Sequence, residues 1–435
     1  MSRLIVLVDL PCQRPKDPKM SVGHASLVAA LQARTNVDVK SVVIPANTPK
    51  QDANALAARI LEHAAGASRV DIGIGVYVWN DHLVRRLLAA LRTKGLTGRI
   101  ILGGPQISYS GRGLEALYPE ADVFVRGYGE DALCELVQHP GRVVEGVHLA
   151  GAPDMCSHAA IAPASLPSPW LSGVDSPFEQ RFVRWDTQRG CPMRCSFCQH
   201  KEAGCLRDRA LAQDRILAEI DYLCAAGVSE VAVIDPIFNL APHAVEVLER
   251  FAVRGFQGRL SLQCWAPGID DHFLNAAEKL NARLEFGLQT IHRREAEAVR
   301  RPVNLDRFAR TLAGVRQRGI DHEVSIIFGL PEQTLDSFID TVGWCLDMKV
   351  PVIRAFPLML LRGTALDQER HRWNLVESDD VIPVVVQSST FDRQQWEVMR
   401  RVSLALQRTE GANPNLHEVL ALADRLTIHE GREAA

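Results

Sequence analysis

The sequence predicts an α/β protein in three parts. The first is a doubly wound, Rossmann-like N-terminal domain, the second a partial (β/α)6 barrel, and the third a small C-terminal cap. Short apolar runs alternate with helical patterns over residues 1–150, and the same alternation runs from about residue 180 to residue 370. A proline-rich stretch without sustained periodicity separates the two regions. Because strands that alternate with helices indicate parallel sheets, both regions are predicted to be βα domains.

Composition limits the classes of function. The chain has 435 residues, is 47% hydrophobic and carries a formal net charge of −3. Its length suits two or three globular domains. No basic stripe suggests nucleic acid, and no apolar run approaches the roughly 20 residues that span a bilayer. We expect no nucleic-acid or membrane partner and a small-molecule substrate.

The N-terminal domain is predicted to cover residues 1–150. Its predicted strands are 3–9, 37–44, 70–78, 99–102 and 121–125, and its clearest helices are 21–33, 53–65 and 81–94. In such sheets ligands bind beyond the carboxyl ends of the strands. The loops 10–22, 77–81, 103–110 and 126–130 are therefore expected to share one rim.

These loops combine glycines with aromatic and polar residues, a composition that suits a flat ligand. The predicted ligand-binding residues there are Trp79, Gly103, Gly104, Ser108 and Gly129. Alternatively, the glycines serve only to make tight turns. No GxGxxG follows the first strand, which argues against a nicotinamide or flavin cofactor.

Residues 151–178 are predicted to form a linker, because prolines recur there among small and polar residues. The second domain, residues 179–370, has predicted strands at 182–187, 230–235, 259–264, 283–289, 323–328 and 352–356. Helical patterns lie between them at 211–223, 241–254, 270–280, 304–318 and 334–348. Residues 371–435 are predicted to form the cap. Functional residues of a barrel are expected at the carboxyl ends of its strands.

Three cysteines, Cys191, Cys195 and Cys198, follow the first barrel strand at the spacing CxxxCxxC. Three thiolates on one loop suit either an iron–sulfur cluster or zinc, and zinc would recruit His200 or Cys205 as a fourth ligand. In a four-iron cluster, three cysteines leave one iron open for a substrate. The ten cysteines of the chain are irregularly spaced and no secretory leader precedes them, so we expect a reducing, cytoplasmic compartment.

Together with residues 187–190, the CxxxCxxC stretch resembles the signature of the radical S-adenosylmethionine (SAM) enzymes. The N-terminal loops resemble the cobalamin-binding domain of the cobalamin-dependent members of that family. The resemblance implies a [4Fe–4S] cluster on the three cysteines, SAM on the open iron, and cobalamin. In two respects the chain departs from the family pattern. The cobalt-binding signature DxHxxG is absent from residues 1–150, and Tyr128 stands where Glu is usual.

The same resemblance implies which residues surround SAM. They are Phe197 in the cysteine motif, Asp235 after the second barrel strand, Glu285 and Gln289 on the fourth, and Gly329 in the turn after the fifth. Arg300 and Arg301 are candidates for binding the SAM carboxylate. Asp235 and Glu285 could instead be ordinary strand-end residues that cap the next helix.

The expected activity is cobalamin-dependent methyl transfer to a small, natural-product-like molecule, with a one-electron reductant such as flavodoxin or ferredoxin. One alternative is transfer of the 3-amino-3-carboxypropyl group of SAM, and another is a radical rearrangement without cobalamin. A non-catalytic cobalamin and iron–sulfur sensor is an alternative of another class, although the chain has no evident DNA-binding motif.

Overall fold

The computed structural model describes residues 3–49, 51–139, 141–200 and 209–426. The strands are β1 Arg3–Asp9, β2 Asp38–Val43, β3 Arg69–Gly75, β4 Arg99–Gly103, β5 Val123–Val125, β6 Val147–Leu149, β7 Phe182–Trp185, β8 Glu230–Val233, β9 Arg259–Cys264, β10 Asn281–Gln289, β11 Asp321–Phe328, β12 Val352–Pro357, β13 Val376–Glu377 and β14 Val385–Gln387.

The α-helices are α1 Val22–Arg34, α2 Ala53–Ala64, α3 Asp81–Thr93, α4 Pro105–Ser108, α5 Leu114–Leu117, α6 Gly129–Gln138, α7 Gln213–Ala226, α8 Ala244–Val253, α9 Asp271–Ala277, α10 Arg293–Ala298, α11 Leu305–Gln317, α12 Leu335–Asp347, α13 Ala365–Gln368, α14 Arg393–Arg408 and α15 Leu416–Arg425. None of these described helices is long and apolar enough to cross a bilayer.

Two six-stranded sheets dominate the fold. The first has the strand order β2-β1-β3-β4-β5-β6, and the second has the order β12-β11-β10-β9-β8-β7. The chain divides into two compact units, residues 1–190 with 202–229 and residues 191–201 with 230–435. This division reflects how compactly the residues pack with one another. The domain boundaries at residues 150 and 178 that the sequence predicts therefore remain predictions.

The first sheet is doubly wound because alternate residues of its strands are buried on opposite faces. On β1, Leu4, Val6 and Val8 pack with the apolar faces of α2 and α3. Ile5 and Leu7 point to the other face and pack with α1 and α6. The last strand, β6, pairs antiparallel with β5 and was not predicted from the sequence. Its three residues are too few to show a periodicity.

In the second unit, strands β8 to β12 pair in parallel. Buried and half-buried residues alternate strictly along β10 and β11. The buried residues face the helices, as the ring contacts of Phe286 with Phe308 and of Phe328 with Phe338 show. The other face therefore carries the polar residues of the barrel interior.

The C-terminal region packs against the outer face of the barrel. Helix α14 contacts β12 and α12, and the Ser403 hydroxyl donates a hydrogen bond to the Ala355 carbonyl at 2.8 Å. Helix α14 begins with a capping box in which Asp392 and Gln395 bond each other's backbone N–H groups. The described part of the predicted cap thus contains the short β13–β14 ribbon and two helices, α14 against β12 and α15 against α14.

Candidate active site

The three motif cysteines line one cavity of about 230 Å³ in the second unit. Its walls also come from residues after β8, at the end of β9, on β10 and β11, and from the loop after α10. The lining residues are Cys191, Met193, Cys195, Phe197, Cys198, His200, Pro236, Ile237, Gln263, Cys264, Trp265, Glu285, Gly287, Gln289, Arg301 and Ser325. Phe197, Glu285 and Gln289, which the sequence predicted near SAM, thus share a cavity with the cysteines.

Each cysteine sulfur accepts an N–H group. The Met193 backbone N–H donates to Cys191 Sγ at 3.5 Å, and the His200 backbone N–H donates to Cys198 Sγ at 3.4 Å. Arg301 Nη1 donates to Cys195 Sγ at 3.2 Å. Burial raises the pKa of the Cys198 thiol, and the neighbouring cysteines raise it further. The thiolate form therefore requires a nearby cation, such as the iron of a cluster.

The donor set fits a cluster better than a single zinc ion. Among the described residues, no three histidine, cysteine or acidic side chains converge closely enough to ligate one metal ion. In a [4Fe–4S] cluster each cysteine binds a different iron, so the sulfurs stand further apart than around one zinc. Cys205, the alternative zinc ligand, lies outside the described residues.

Glu285 faces this cavity from β10 with no hydrogen bond or ion pair to any described residue. Burial raises its pKa to about 7, and the Glu323 carboxylate adds to that increase. Arg283, two residues earlier on the same strand, pairs instead with Asp321 at 2.9 Å. The carboxyl group of Glu285 is therefore available to a ligand that donates hydrogen bonds.

Gln289 ends β10 in a left-handed conformation with φ of 71°. Its Oε1 is buried and has no hydrogen-bond partner within the described chain. Gly287 makes room for this arrangement, because a Cβ there would lie 2.8 Å from Gln289 Nε2 and 3.0 Å from Arg301 Nη2. Arg301 Nη2 in turn donates to the Gly287 carbonyl at 2.8 Å. The absence of a side chain at Gly287 thus lets the Arg301 guanidinium and the free Gln289 Oε1 lie together beside Cys195.

The turn after β11 is held by a buried glutamine that the sequence analysis did not single out. Gln333 Oε1 accepts the N–H groups of Gly329 at 2.7 Å and Leu330 at 3.2 Å. Gln333 Nε2 donates to Glu295, and Glu295 accepts from the Thr290 hydroxyl at 2.5 Å. Since Thr290 follows Gln289, this network fixes the ends of β10 and β11 relative to each other.

Two predicted SAM residues lie outside the cavity lining. Asp235 is fully buried, and the next two residues, Pro236 and Ile237, line the cavity in its place. Gly329 has φ of 93°, and a Cβ there would lie 3.2 Å from the Val385 carbonyl oxygen. Their contacts with SAM stay predictions.

Gln263 and Ser325 line the cavity but were not predicted. In the parallel register Gln263 pairs with Glu285, and Ser325 pairs with Gly287. Residues paired in this way point to the same face of a sheet. Strand alternation could have identified both, but only after the register was known.

In the first unit, the predicted ligand-binding loops lie at the carboxyl ends of β3, β4 and β5. Gly104 has φ of 90°, and a Cβ there would lie 2.8 Å from the Val76 carbonyl oxygen and 3.0 Å from its nitrogen. The backbone of β3 therefore passes Gly104 at a distance that no side chain permits. Gly103 closes β4, where its carbonyl accepts the Val76 N–H at 2.8 Å.

Trp79 and Ser108, two of the predicted ligand-binding residues of this rim, are already hydrogen-bonded. Trp79 stacks on Tyr77 with ring centroids 4.5 Å apart, and its indole N–H donates to the Leu10 carbonyl at 3.2 Å. The Ser108 hydroxyl accepts the Gly127 N–H at 3.0 Å. A Cβ at Gly129 would lie 3.3 Å from a methyl group of Leu27. The rim is consequently shaped by backbone and rings.

Three histidines precede residue 130 in this unit, His24, His63 and His82. His24 is buried, and its Nε2 lies 2.8 Å from the Ser41 hydroxyl. Burial lowers the pKa of His24. His63 lies near the end of α2, and His82 is the second residue of α3.

Arg189 links the predicted signature to this rim. Its guanidinium pairs with Asp186 at 2.6 Å and with Glu130 at 3.3 Å, and Glu130 also accepts from the Ser26 hydroxyl. Burial alone would lower the pKa of Arg189, but the two carboxylates hold it above its ordinary value. The residue that precedes Gly190 and Cys191 is thus anchored within the first unit.

Two models of known families match parts of this chain. The model of the B12 binding domain matches residues 20–137, and the model of the Radical SAM superfamily matches residues 185–345. The chain belongs to the radical SAM enzymes that contain a cobalamin-binding domain. This membership agrees with the family predicted from CxxxCxxC and the N-terminal loops.

Two relatives of this radical SAM chain are methyltransferases. The cobalamin-dependent radical SAM methyltransferase TokK of Streptomyces tokunonensis is 26% identical over 67% of the chain and 47% of that protein. The 2-(S-pantetheinyl)-carbapenam-3-carboxylate methyltransferase of Streptantibioticus cattleyicolor is 26% identical over 66% of the chain and 46% of that protein. The chain spans a little less than half the length of both relatives.

Solved structures of two radical SAM proteins share the fold. The methyltransferase TsrM of Kitasatospora setae, with cobalamin and a [4Fe–4S] cluster bound, superposes with a TM-score of 0.69 at 18% identity, covering 92% of this chain and 82% of TsrM. OxsB, with aqua-cobalamin and SAM bound, gives a TM-score of 0.70 at 15% identity, covering 94% of this chain and 67% of OxsB. At these identities the likeness establishes the α/β architecture alone.

Proposed function

We propose that this protein is a cobalamin-dependent radical SAM methyltransferase that acts on a small molecule. The observation that carries the proposal is the cysteine cavity, where three sulfurs that each accept an N–H group face Glu285 and Gln289. The names of the two methyltransferase relatives support methyl transfer as the reaction. TsrM, in another structure, contains bound tryptophan, a small-molecule substrate.

Cys191, Cys195 and Cys198 would hold the [4Fe–4S] cluster in this proposal. When bound, the cluster supplies the electron that cleaves a carbon–sulfur bond of SAM, and cobalamin supplies a methyl carrier. The N–H groups on the three sulfurs would stabilise the negative charge of the thiolates. Phe197, between the second and third cysteine, would exclude water from the open side of the cavity.

The cavity offers SAM an acidic group, the Glu285 carboxyl, and a basic group, the Arg301 guanidinium. Its ammonium group and ribose hydroxyls are donors, which match the free acceptors of Glu285 and Gln289. Its carboxylate is an acceptor, which matches the guanidinium of Arg301. Arg300 is a weaker candidate for that role because it forms an ion pair with Glu369 at the surface.

The pKa of Glu285 adds a dependence on pH. Near pH 7 a substantial fraction of this carboxyl is protonated, because burial raises its pKa to about 7. A bound ammonium favours the ionised form, so SAM binding would release a proton from Glu285 below pH 7. Binding would therefore strengthen as the pH rises through 7.

The first unit would hold cobalamin mainly through backbone and ring surfaces. The candidates are Trp79, Gly103, Gly104, Ser108 and Gly129. Because His24 contacts Ser41 and the chain lacks DxHxxG before residue 150, we propose that no protein nitrogen binds the cobalt.

Product analysis tests the proposed function. The anaerobically reconstituted protein, loaded with cobalamin, would be incubated with SAM and titanium(III) citrate. Formation of 5′-deoxyadenosine or S-adenosylhomocysteine is expected, and Cys195→Ala should abolish the reductant-dependent product. Methylthioadenosine alone would indicate transfer of the aminocarboxypropyl group instead. Absence of any SAM turnover with an intact cluster would contradict an enzyme and favour a sensor.

A further inference from the structure

The cysteine loop is bonded to two other segments of the second unit. The Ser196 N–H donates to the Val299 carbonyl at 2.9 Å, and the Leu366 N–H donates to the Ser196 carbonyl at 2.9 Å. The Gln199 side chain also donates to the Arg362 carbonyl at 2.9 Å. These two segments therefore lie beside the cysteine loop.

Both segments are unusually rich in arginine. Residues 293–310 and 362–372 together contain nine arginines and five acidic residues, whereas the whole chain carries a net charge of −3. One of the acidic residues, Glu295, is buried in the hydrogen-bond network of Gln333. An ion pair between Arg300 and Glu369 joins the two segments. The surface beside the cysteine loop is thus positive in a chain that is slightly negative.

Four exposed arginines define this surface, which we call the basic rim: Arg194, Arg294, Arg300 and Arg372. Arg194 lies between two of the motif cysteines. Among the described residues, neither Arg194 nor Arg294 has a hydrogen-bond or ion-pair partner for its side chain. Arg300 and Arg372 both lie within ion-pair distance of Glu369, whereas Arg194 and Arg294 are left available to an acidic partner.

We propose that the basic rim is the docking site of an acidic one-electron carrier protein. This inference rests on the proposed function, which requires one electron for each SAM cleaved. Transient electron-transfer complexes have small interfaces that are steered by opposite charges, and an arginine rim around the cysteine loop meets that requirement. Electron tunnelling weakens steeply with distance, and both arginine-rich segments are hydrogen-bonded to Ser196, the residue that follows Cys195.

The electron balance needs no other reactant. With flavodoxin as the carrier, one electron leaves the anionic flavin hydroquinone, which becomes the neutral semiquinone, and no proton is transferred. The cysteine-bound cluster accepts that electron and changes from the 2+ to the 1+ state. The flavodoxin then dissociates from the arginines and is replaced by another reduced molecule.

The test compares two reductants in one set of variants. SAM cleavage would be measured with a reduced bacterial flavodoxin or ferredoxin and, separately, with titanium(III) citrate, which needs no docking surface. For Arg194→Glu combined with Arg294→Glu, the carrier concentration at half-maximal rate should rise about tenfold at low ionic strength. The rate with titanium(III) citrate should stay within about twofold, because this small reductant needs no docking surface, although the two reversals change the net charge by four.

Salt dependence and direct binding add independent measurements. In the parent protein, carrier-driven activity and flavodoxin binding by calorimetry should weaken as salt screens the charges, and in the double variant this dependence should flatten. Arg294→Glu alone, which lies about 100 positions after the cysteine motif in the sequence, should give part of the effect with an unchanged cluster spectrum. Arg393→Glu combined with Arg425→Glu, on α14 and α15, is the matched control and should behave as the parent.

Three results would overturn the proposal. The first is carrier-driven activity in the rim variants equal to that of the parent with both carriers. The second is an equal loss in the α14 and α15 control. The third is an equal loss with titanium(III) citrate, which would indicate damage to the site. If the parent protein cleaves no SAM with titanium(III) citrate, that result contradicts the proposed function itself.

Discussion

In the cysteine cavity of the second unit, Glu285 and Gln289 present acceptor oxygens that no described donor satisfies. At the strand-end rim of the first unit, by contrast, Trp79 and Ser108 are already hydrogen-bonded to neighbouring backbone groups. The first kind of site recognises its ligand by side-chain chemistry, and the second by the space that glycines leave. Substitutions should therefore act differently in the two units.

The largest effect is expected from the cysteines. Replacing Cys195 with Ala removes one of three cluster ligands and the acceptor of the Arg301 hydrogen bond, so the cluster should be lost entirely. Iron and sulfide analysis with the visible absorption spectrum measures this. Cys12→Ser, at an exposed position, and Cys205→Ala should both keep the cluster. Full iron content in Cys195→Ala would refute the assignment.

Gly104→Ala should have the next largest effect because the Cβ would collide with the backbone of Val76. A strained φ and a backbone collision together cost about 2–4 kcal/mol, which would abolish cobalamin binding or unfold the rim. Gly113→Ala is a matched control, since Gly113 also has a positive φ of 95° but nothing within 4 Å. Cobalamin absorbance after gel filtration and the melting temperature report the two effects. If the two variants bound cobalamin equally and melted at the same temperature, the proposal that the space at Gly104 shapes the cobalamin site would be wrong.

Gln333→Glu should weaken SAM binding about tenfold while the cluster remains, because two buried carboxylates would then face each other. The partner change Glu295→Gln, added to Gln333→Glu, restores one donor–acceptor pair and should recover part of the affinity. The change in the electron paramagnetic resonance signal of the reduced cluster on SAM addition measures binding. Unchanged affinity in Gln333→Glu would show that the turn does not position SAM.

The pH dependence of SAM binding tests whether Glu285 acts through the charge of its carboxylate or only through the size of its side chain. With its pKa near 7, ionisation of Glu285 should improve affinity about fivefold between pH 6 and pH 8. Glu285→Gln keeps the size but cannot ionise, so its affinity should be lower at pH 8 and nearly independent of pH. A parent profile that is flat, or falls with rising pH, would contradict the assigned role.

The smallest effect is expected from the histidines of the first unit. The cob(II)alamin form should show no nitrogen splitting from a protein ligand in its electron paramagnetic resonance spectrum, and His82→Ala should leave that spectrum unchanged. Nitrogen splitting that disappears on substitution of a histidine would overturn the proposed geometry. Failure of the protein to bind any cobalamin would leave the first unit without that function.

The sequence was most informative where chemistry is local. CxxxCxxC places three thiols on one loop whatever the surrounding fold, and the alternation of apolar residues predicted the strands of both sheets. The antiparallel strand β6 was missed because Val147–Leu149 is too short to show a period. Gln263 and Ser325 were missed because strand alternation assigns a face only when the register with the neighbouring strand is known.

By itself, the sequence determined the family, the two βα regions, the spacing of the three motif cysteines and the absence of an N-terminal DxHxxG, because each of these depends on neighbours in the chain. Only the tertiary structure brought Arg301 to Cys195, which is 106 residues away, and left Glu285 without a hydrogen-bond partner among the residues that it describes. It also joined Thr290, Glu295 and Gln333 into one buried network. Such contacts depend on register and packing between strands, and no local pattern of residues encodes their distances.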